Sequence, residues 1–230
     1  MDKSDLSHLK ILQPPATLRE IVQEKMRAAI IEGHFKPGQR LVERPLCDQL
    51  GVSRTVIRET IRYLEAEGLV EIQPNKGPIV ARLDWDIAGQ IYDIRLLLET
   101  SAAVACAQAG TPGLEAALRA ALARLKQAFE DGTPGALFRA STGFYQVIFD
   151  AAGHHIAWET VQRLNGRISR LRLMTLSTSD RHTSGFAHMQ AICDAIIARD
   201  PKATKQAVQA HLRDARAIAG RLLAAENSSE

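Results

Sequence analysis

Two arginines one helical turn apart, Arg54 and Arg58, follow Ser53, a residue type suited to capping a helix N-terminus. At the leading end of a helix laid in a DNA major groove, a guanidinium offers two parallel N–H donors that match O6 and N7 of guanine. Thr55 stands beside them with a hydroxyl that can donate or accept. Farther on, Pro74-Asn75-Lys76-Gly77-Pro78 is turn chemistry, where Lys76 can meet a phosphate or enter a minor groove and Gly77 lets backbone approach closely. A second group of polar residues recurs on apolar faces at helical spacing. Arg95 lies among Ile91, Leu98 and Ala102, and Ser141 and Tyr145 share a face with Phe138, Ile148 and Ala152. His188 shares one with Ile192 and Ala195, and His211 falls on a stripe with Ala207, Val208, Ala215, Ile218 and Leu222. Such groups are costly to bury unless they satisfy one another or a bound guest, and a guanidinium grips a carboxylate in a two-pronged fork. Arg167 and Arg170 are weaker candidates, on a helix whose Leu164, Ile168 and Leu171 face the core.

Plainer readings stand beside these. Arginines on an amphipathic helix often form a solvated face, and Arg58 can pair with Glu59 or Glu65. Arg95 can pair with Glu99 one turn on, and the histidines can be satisfied by buried hydroxyls or water.

The elements that must hold these residues are legible in sequence order. Leu18 to Glu32 has helical periodicity and ends at Gly33, Glu43 to Leu50 is a shorter helix, and Gly51 breaks the chain. The next helix runs from the Ser53 cap toward Gly68, with Ile57, Ile61 and Leu64 inward. Leu69 to Gln73 and Ile79 to Leu83 read as two strands flanking the turn at Asn75. Helix, turn, helix and hairpin together predict a winged helix-turn-helix. From Asp84 onward alanine and leucine recur at helical spacing, predicting helices near 86–109, 113–130, 134–151, 155–174, 182–199 and 201–224, some kinked.

These residues carry a resemblance. Phe35-Lys36-Pro37-Gly38-Gln39-Arg40-Leu41-Val42-Glu43-Arg44, Leu50-Gly51-Val52-Ser53-Arg54-Thr55-Val56-Ile57-Arg58-Glu59 and Leu64-Glu65-Ala66-Glu67-Gly68-Leu69-Val70 resemble the DNA-binding domain of GntR-type bacterial transcription regulators. The resemblance implies DNA contacts by Arg44, Arg54, Thr55, Arg58 and the wing around Gly77. The helical part is similar to the effector domain of the FadR-type branch, the FCD domain, in its shorter VanR-like form. The residues that carry this are Tyr92 to Glu99, Phe144 to His154, His188 to Ile196 and Ala210-His211-Leu212. It implies a homodimer whose small-molecule effector, an organic or sugar acid, changes DNA affinity, most often by releasing a repressor. Many members of that branch bind a divalent metal through an Asp and a His one turn apart plus a His from each of two later helices. His188 and His211 match the later pair, whereas Ser141 and Tyr145 occupy the earlier positions and are not usual zinc or nickel ligands. No cofactor is therefore expected. An incomplete zinc or nickel site at His188 and His211 is the alternative.

Composition bounds the rest. The 230 residues carry a net charge of +3, and residues 17–82 hold 11 Lys/Arg against 9 Asp/Glu, so basicity is placed rather than general. That suits a reader of particular duplex sites more than a protein that coats DNA. There is no transmembrane-length apolar run and no signal-peptide pattern, and Cys47, Cys106 and Cys193 are expected as reduced thiols. The expected protein is mainly α: a flexible N-terminus over 1–13, a winged helix-turn-helix over 14–83, an all-α bundle of about six helices over 84–225 and a flexible tail over 226–230. It is expected to be a cytoplasmic, homodimeric regulator without enzyme activity or membrane association, bound to a two-fold-symmetric double-stranded operator and modulated by a small anionic metabolite. The alternatives are an enzyme built on the helical body and a ligand-independent dimeric module that binds DNA or protein. The short connection at Arg82–Asp86 predicts that movement of the first bundle helix reorients the winged domain.

Overall fold

The computed structural model describes residues 16–132 and 134–227. The segment expected as a flexible N-terminus, 1–13, lies outside them, as do 228–230 of the expected tail. The winged region opens with α1 (Leu18–Ile31), started by a reciprocal cap. The Thr17 hydroxyl accepts from the Glu20 N–H at 3.2 Å, and the Glu20 carboxylate accepts from the Thr17 N–H at 2.7 Å. Helix α2 (Glu43–Leu50) ends at Gly51, and α3 (Arg54–Ala66) begins at Ser53, whose hydroxyl accepts from the Val56 N–H at 3.4 Å. Strands β1 (Val70–Gln73) and β2 (Gly77–Val80) pair antiparallel, Val70 opposite Val80 and Gln73 opposite Gly77. The second strand stops three residues short of the expected Leu83. Past Val80 the chain turns toward Asp84, whose carboxylate accepts from the Ile87 N–H at 2.8 Å and caps the next helix.

The winged core gathers Val22, Met26 and Ile30 from α1, Ile57, Ile61 and Leu64 from α3, and Leu69, Val70 and Val80 around the sheet. Ile57 and Leu64 are fully buried, contributing roughly 1.5–3 kcal/mol each by removal from water. That inward stripe fixes which face of α3 is left for solvent.

The bundle consists of α4 (Trp85–Ala109), α5 (Leu114–Asp131), α6 (Pro134–Ala151), α7 (His155–Arg167), α8 (Ser169–Leu176), α9 (Ser179–Ile197) and α10 (Pro201–Asn227). The single helix expected over 155–174 is therefore broken at Ile168, which leaves helical geometry at φ −105° and ψ 15° while its N–H still bonds to Leu164 and Gly166 carbonyls. Alanines and cysteine on α4 (Ala102, Ala103, Cys106, Ala107) join Leu118, Leu125, Phe144, Phe149 and Ile192 in the main core. A smaller cluster unites Ala88, Ile91 and Tyr92 of α4 with Ile168, Leu171, Ala215 and Leu223.

The winged region rests on the α7–α8 junction. Gly68, at φ +74°, has the Arg167 side chain against it, so that an added Cβ would lie 2.5 Å from Arg167 Cγ. Gly166 faces the Glu67 carbonyl less tightly, its Cβ position 3.3 Å from that oxygen. Glu67 is itself fixed, because Arg27 donates to its two carboxylate oxygens at 2.9 and 2.7 Å, tying α1 to the end of α3.

Candidate functional site

The exposed side of α3 carries Arg54, Thr55 and Arg58 at its N-terminal end. Arg58 is 60% exposed and its Nε donates to Glu43 Oε1 of α2 at 2.8 Å, not to Glu59 or Glu65. Hydrogen bonding from Arg58 holds the Glu43 carboxyl below its ordinary value. Arg44 is exposed on α2, and Lys76 and Gly77 lie in the wing turn, where Asn75 takes φ +67° and Gly77 φ +76°. Arg40, which sequence reading did not select, also reaches the wing: it bridges to Ile79 and its Nη2 lies 4.0 Å from the Cβ position of Gly77.

The bundle brings the second group together around a cavity of about 30 Å³ whose lining includes Arg95, Ser141, Tyr145 and His211. The Tyr145 and His211 rings stand 6.0 Å apart, and the His188 ring 5.9 Å beyond His211. His188 does not line the cavity; its Nε2 lies 3.5 Å from the Asp214 carboxylate, and Ser184 donates to the same oxygen at 2.8 Å.

Arg95 is only 3% exposed and donates from Nε to Glu99 Oε1 at 2.7 Å. Burial opposes its charge, but Glu99 one turn away more than offsets this, and its pKa stands above the ordinary value. The guanidinium that sequence reading favoured for a guest thus already holds a carboxylate. Arg170 donates to Glu226 at 2.6 Å, and Arg167 packs on Gly68, so neither is placed in the cavity.

Arg172 was not selected, and it does line the cavity, 7% exposed on α8. Its Nη2 donates to Ser141 Oγ at 3.3 Å, its guanidinium carbon lies 4.6 Å from the Phe138 ring centre, and its Nη1 has no hydrogen-bond partner. Burial first, and the charge of Arg95 second, push its pKa down to about 10, which leaves it protonated at neutral pH. Among the described residues, two guanidiniums against the one Glu99 carboxylate leave one net positive charge in the wall. The helical stripe Leu164, Ile168, Arg172 held the clue, because Arg172 falls one turn after a core isoleucine.

A divalent metal does not fit this donor set. Among the described residues no three His, Cys, Asp or Glu side chains converge as ligands. Ser141 also receives a guanidinium, a cation where a second cation is repelled. Cys106 and Cys193 are buried thiols, each pushed up to about 11 by burial.

Comparison with known proteins agrees with this two-part architecture. The model of bacterial regulatory proteins of the gntR family matches residues 18–80, and that of the FCD domain matches residues 90–214. An HTH-type transcriptional regulator in an unstable DNA locus of Streptomyces ambofaciens is 29% identical over 86% of this chain and 83% of its own. The HTH-type transcriptional repressor RspR of Escherichia coli is 24% identical over 88% of this chain and 89% of its own. Among solved structures, Escherichia coli McbR/YncC superposes with a TM-score of 0.76 at 22% identity, covering 90% of this chain and 99% of that one. A regulator from Rhodococcus superposes with a TM-score of 0.75 at 24% identity, covering 88% and 97%.

Proposed function

Because this chain belongs to the gntR family of bacterial regulatory proteins, with an FCD domain following its winged helix, we propose that it is a cytoplasmic homodimeric repressor released from a two-fold operator by a small organic or sugar acid. That it is a DNA-binding transcriptional regulator and not an enzyme follows from the family and from its relatives. The finer reading has separate supports. One relative is a repressor. On α4, Ile94 and Leu97 turn outward, Leu97 at 71% exposure, an apolar face suited to a second copy. Among the described residues no helix is long and apolar enough to cross a membrane.

The observation that carries the effector reading is the buried net positive charge of the Arg95, Glu99 and Arg172 group beside a cavity. A lone buried charge is expensive, and an entering anion offsets that cost. Operator reading rests on α3, whose Arg54, Thr55 and Arg58 are all exposed at one end. Selection of duplexes from a random pool by the purified protein tests the proposal. The expected product is a motif of two inverted half-sites about one helical turn apart. An asymmetric motif bound by a monomer, or no enriched motif, contradicts it.

A further inference from the structure

We propose that the effector is a monocarboxylate with an apolar body, held by Arg172 without a metal ion. This rests on the acid-responsive reading above and deepens it. The charge count sets the valence. Arg95 is matched by Glu99, so Arg172 is the one cavity-lining guanidinium, among the described residues, that no carboxylate matches. One unmatched cation neutralises one negative charge, and a dicarboxylate would bring a second charge with no partner. The donors set the head group. Nη1 has no partner and Nη2 reaches only Ser141 at 3.3 Å, a pair of neighbouring N–H groups that a carboxylate can accept from together.

The walls set the body. Beyond Arg172 and Ser141 the lining combines Leu125, Phe129, Leu176, Met189 and Ala215 with polar side chains, of which Arg95 already donates to Glu99 and Thr175 to the Leu171 carbonyl at 2.8 Å. A sugar acid would bury several hydroxyls against the apolar part of this wall, whereas an aromatic or aliphatic acid can lay its body there. The cavity of about 30 Å³ accepts one or two water-sized groups, enough for a carboxylate but not for its body. Entry therefore displaces side chains of the wall. Met189, unbranched and adaptable, is suited to that movement. Because α8 carries both Arg172 and the contact with α1, wall displacement is transmitted to the winged region.

The test uses the full chain after dialysis against a chelator, with benzoate, hexanoate, succinate and gluconate as probes. Benzoate and hexanoate are expected to raise the thermal midpoint and to release operator, while succinate and gluconate do neither. Arg172→Met is expected to raise the midpoint in plain buffer by a few degrees, because it removes an uncompensated buried charge, while abolishing the benzoate shift and retaining operator binding. Arg172→Lys keeps the charge without the fork and is expected to retain a reduced benzoate shift. A benzoate shift that survives in Arg172→Met overturns the proposal, as does a lowered midpoint in that variant or silence of both monocarboxylates with the wild type. Release by gluconate or succinate alone would sink the monocarboxylate assignment and leave the acid-responsive regulator standing. Release by none of the acids would sink both.

Discussion

Arg58 donates its Nε to Glu43, and on the function proposed above its Nη groups would meet a guanine edge. The pairing crosses from α3 to α2 and fixes the direction of the guanidinium. Hydrogen bonding from Arg58 holds the Glu43 carboxyl below its ordinary value, so the pair persists across neutral pH. Glu43→Gln is expected to lower discrimination between operator and random duplex while Arg58 itself is intact, as competition binding would show; undiminished discrimination would make Glu43 a spectator. Arg54 has no such partner, and Arg54→Ala should lose about 1–3 kcal/mol of discrimination, the worth of one bidentate base contact. At this scale the sequence was informative about type and face but not about pairing. Spacing identified Arg95 as inward, and Glu99 one turn on already offered its partner. It suggested Glu59 or Glu65 for Arg58, because neighbours along one helix are visible in sequence and Glu43, on another helix, is not. Arg172 was missed for a related reason: its burial depends on α6 supplying Phe138 and Ser141, a tertiary contact.

Helices with strong periodicity and glycine or proline punctuation came out close to expectation, α6 at Pro134–Ala151 among them. The break at Ile168 did not. Leu164, Ile168 and Leu171 keep a continuous apolar stripe across it, so periodicity alone sees one helix. The break lies beside the winged region, where Gly166 faces the Glu67 carbonyl and Arg167 lies over Gly68. The contact makes the end of α3 and the end of α7 neighbours, a route between domains additional to the short connection before α4. Gly68 is the vulnerable point. Alanine there must adopt φ +74° and place its Cβ against Arg167 Cγ. Gly68→Ala is expected to destabilise the protein by roughly 1–2 kcal/mol through the left-handed backbone alone, and to weaken the response of operator binding to benzoate. Thermal unfolding and operator titration check the two effects; unchanged coupling would confine Gly68 to a local structural role.

For the whole molecule, the division into a DNA reader and a helical body was visible as a change from mixed composition to alanine- and leucine-rich periodicity near Asp84. How the two parts lean on each other was not, because sequence showed Gly68 only as a helix stop, and its contact with Arg167 and that of Gly166 with Glu67 are tertiary. On the function proposed above, that contact is the route by which anion binding and DNA binding would become properties of one equilibrium. A ligand shifts a protein between arrangements only by its difference in affinity for them, and linkage then obliges operator to alter ligand affinity by the same factor. The most direct measurement is a calorimetric titration of benzoate into the protein alone and into its preformed complex with operator. The account predicts weaker benzoate binding to the complex, by the same factor by which saturating benzoate weakens operator binding. Equal benzoate affinities in the two titrations would contradict it.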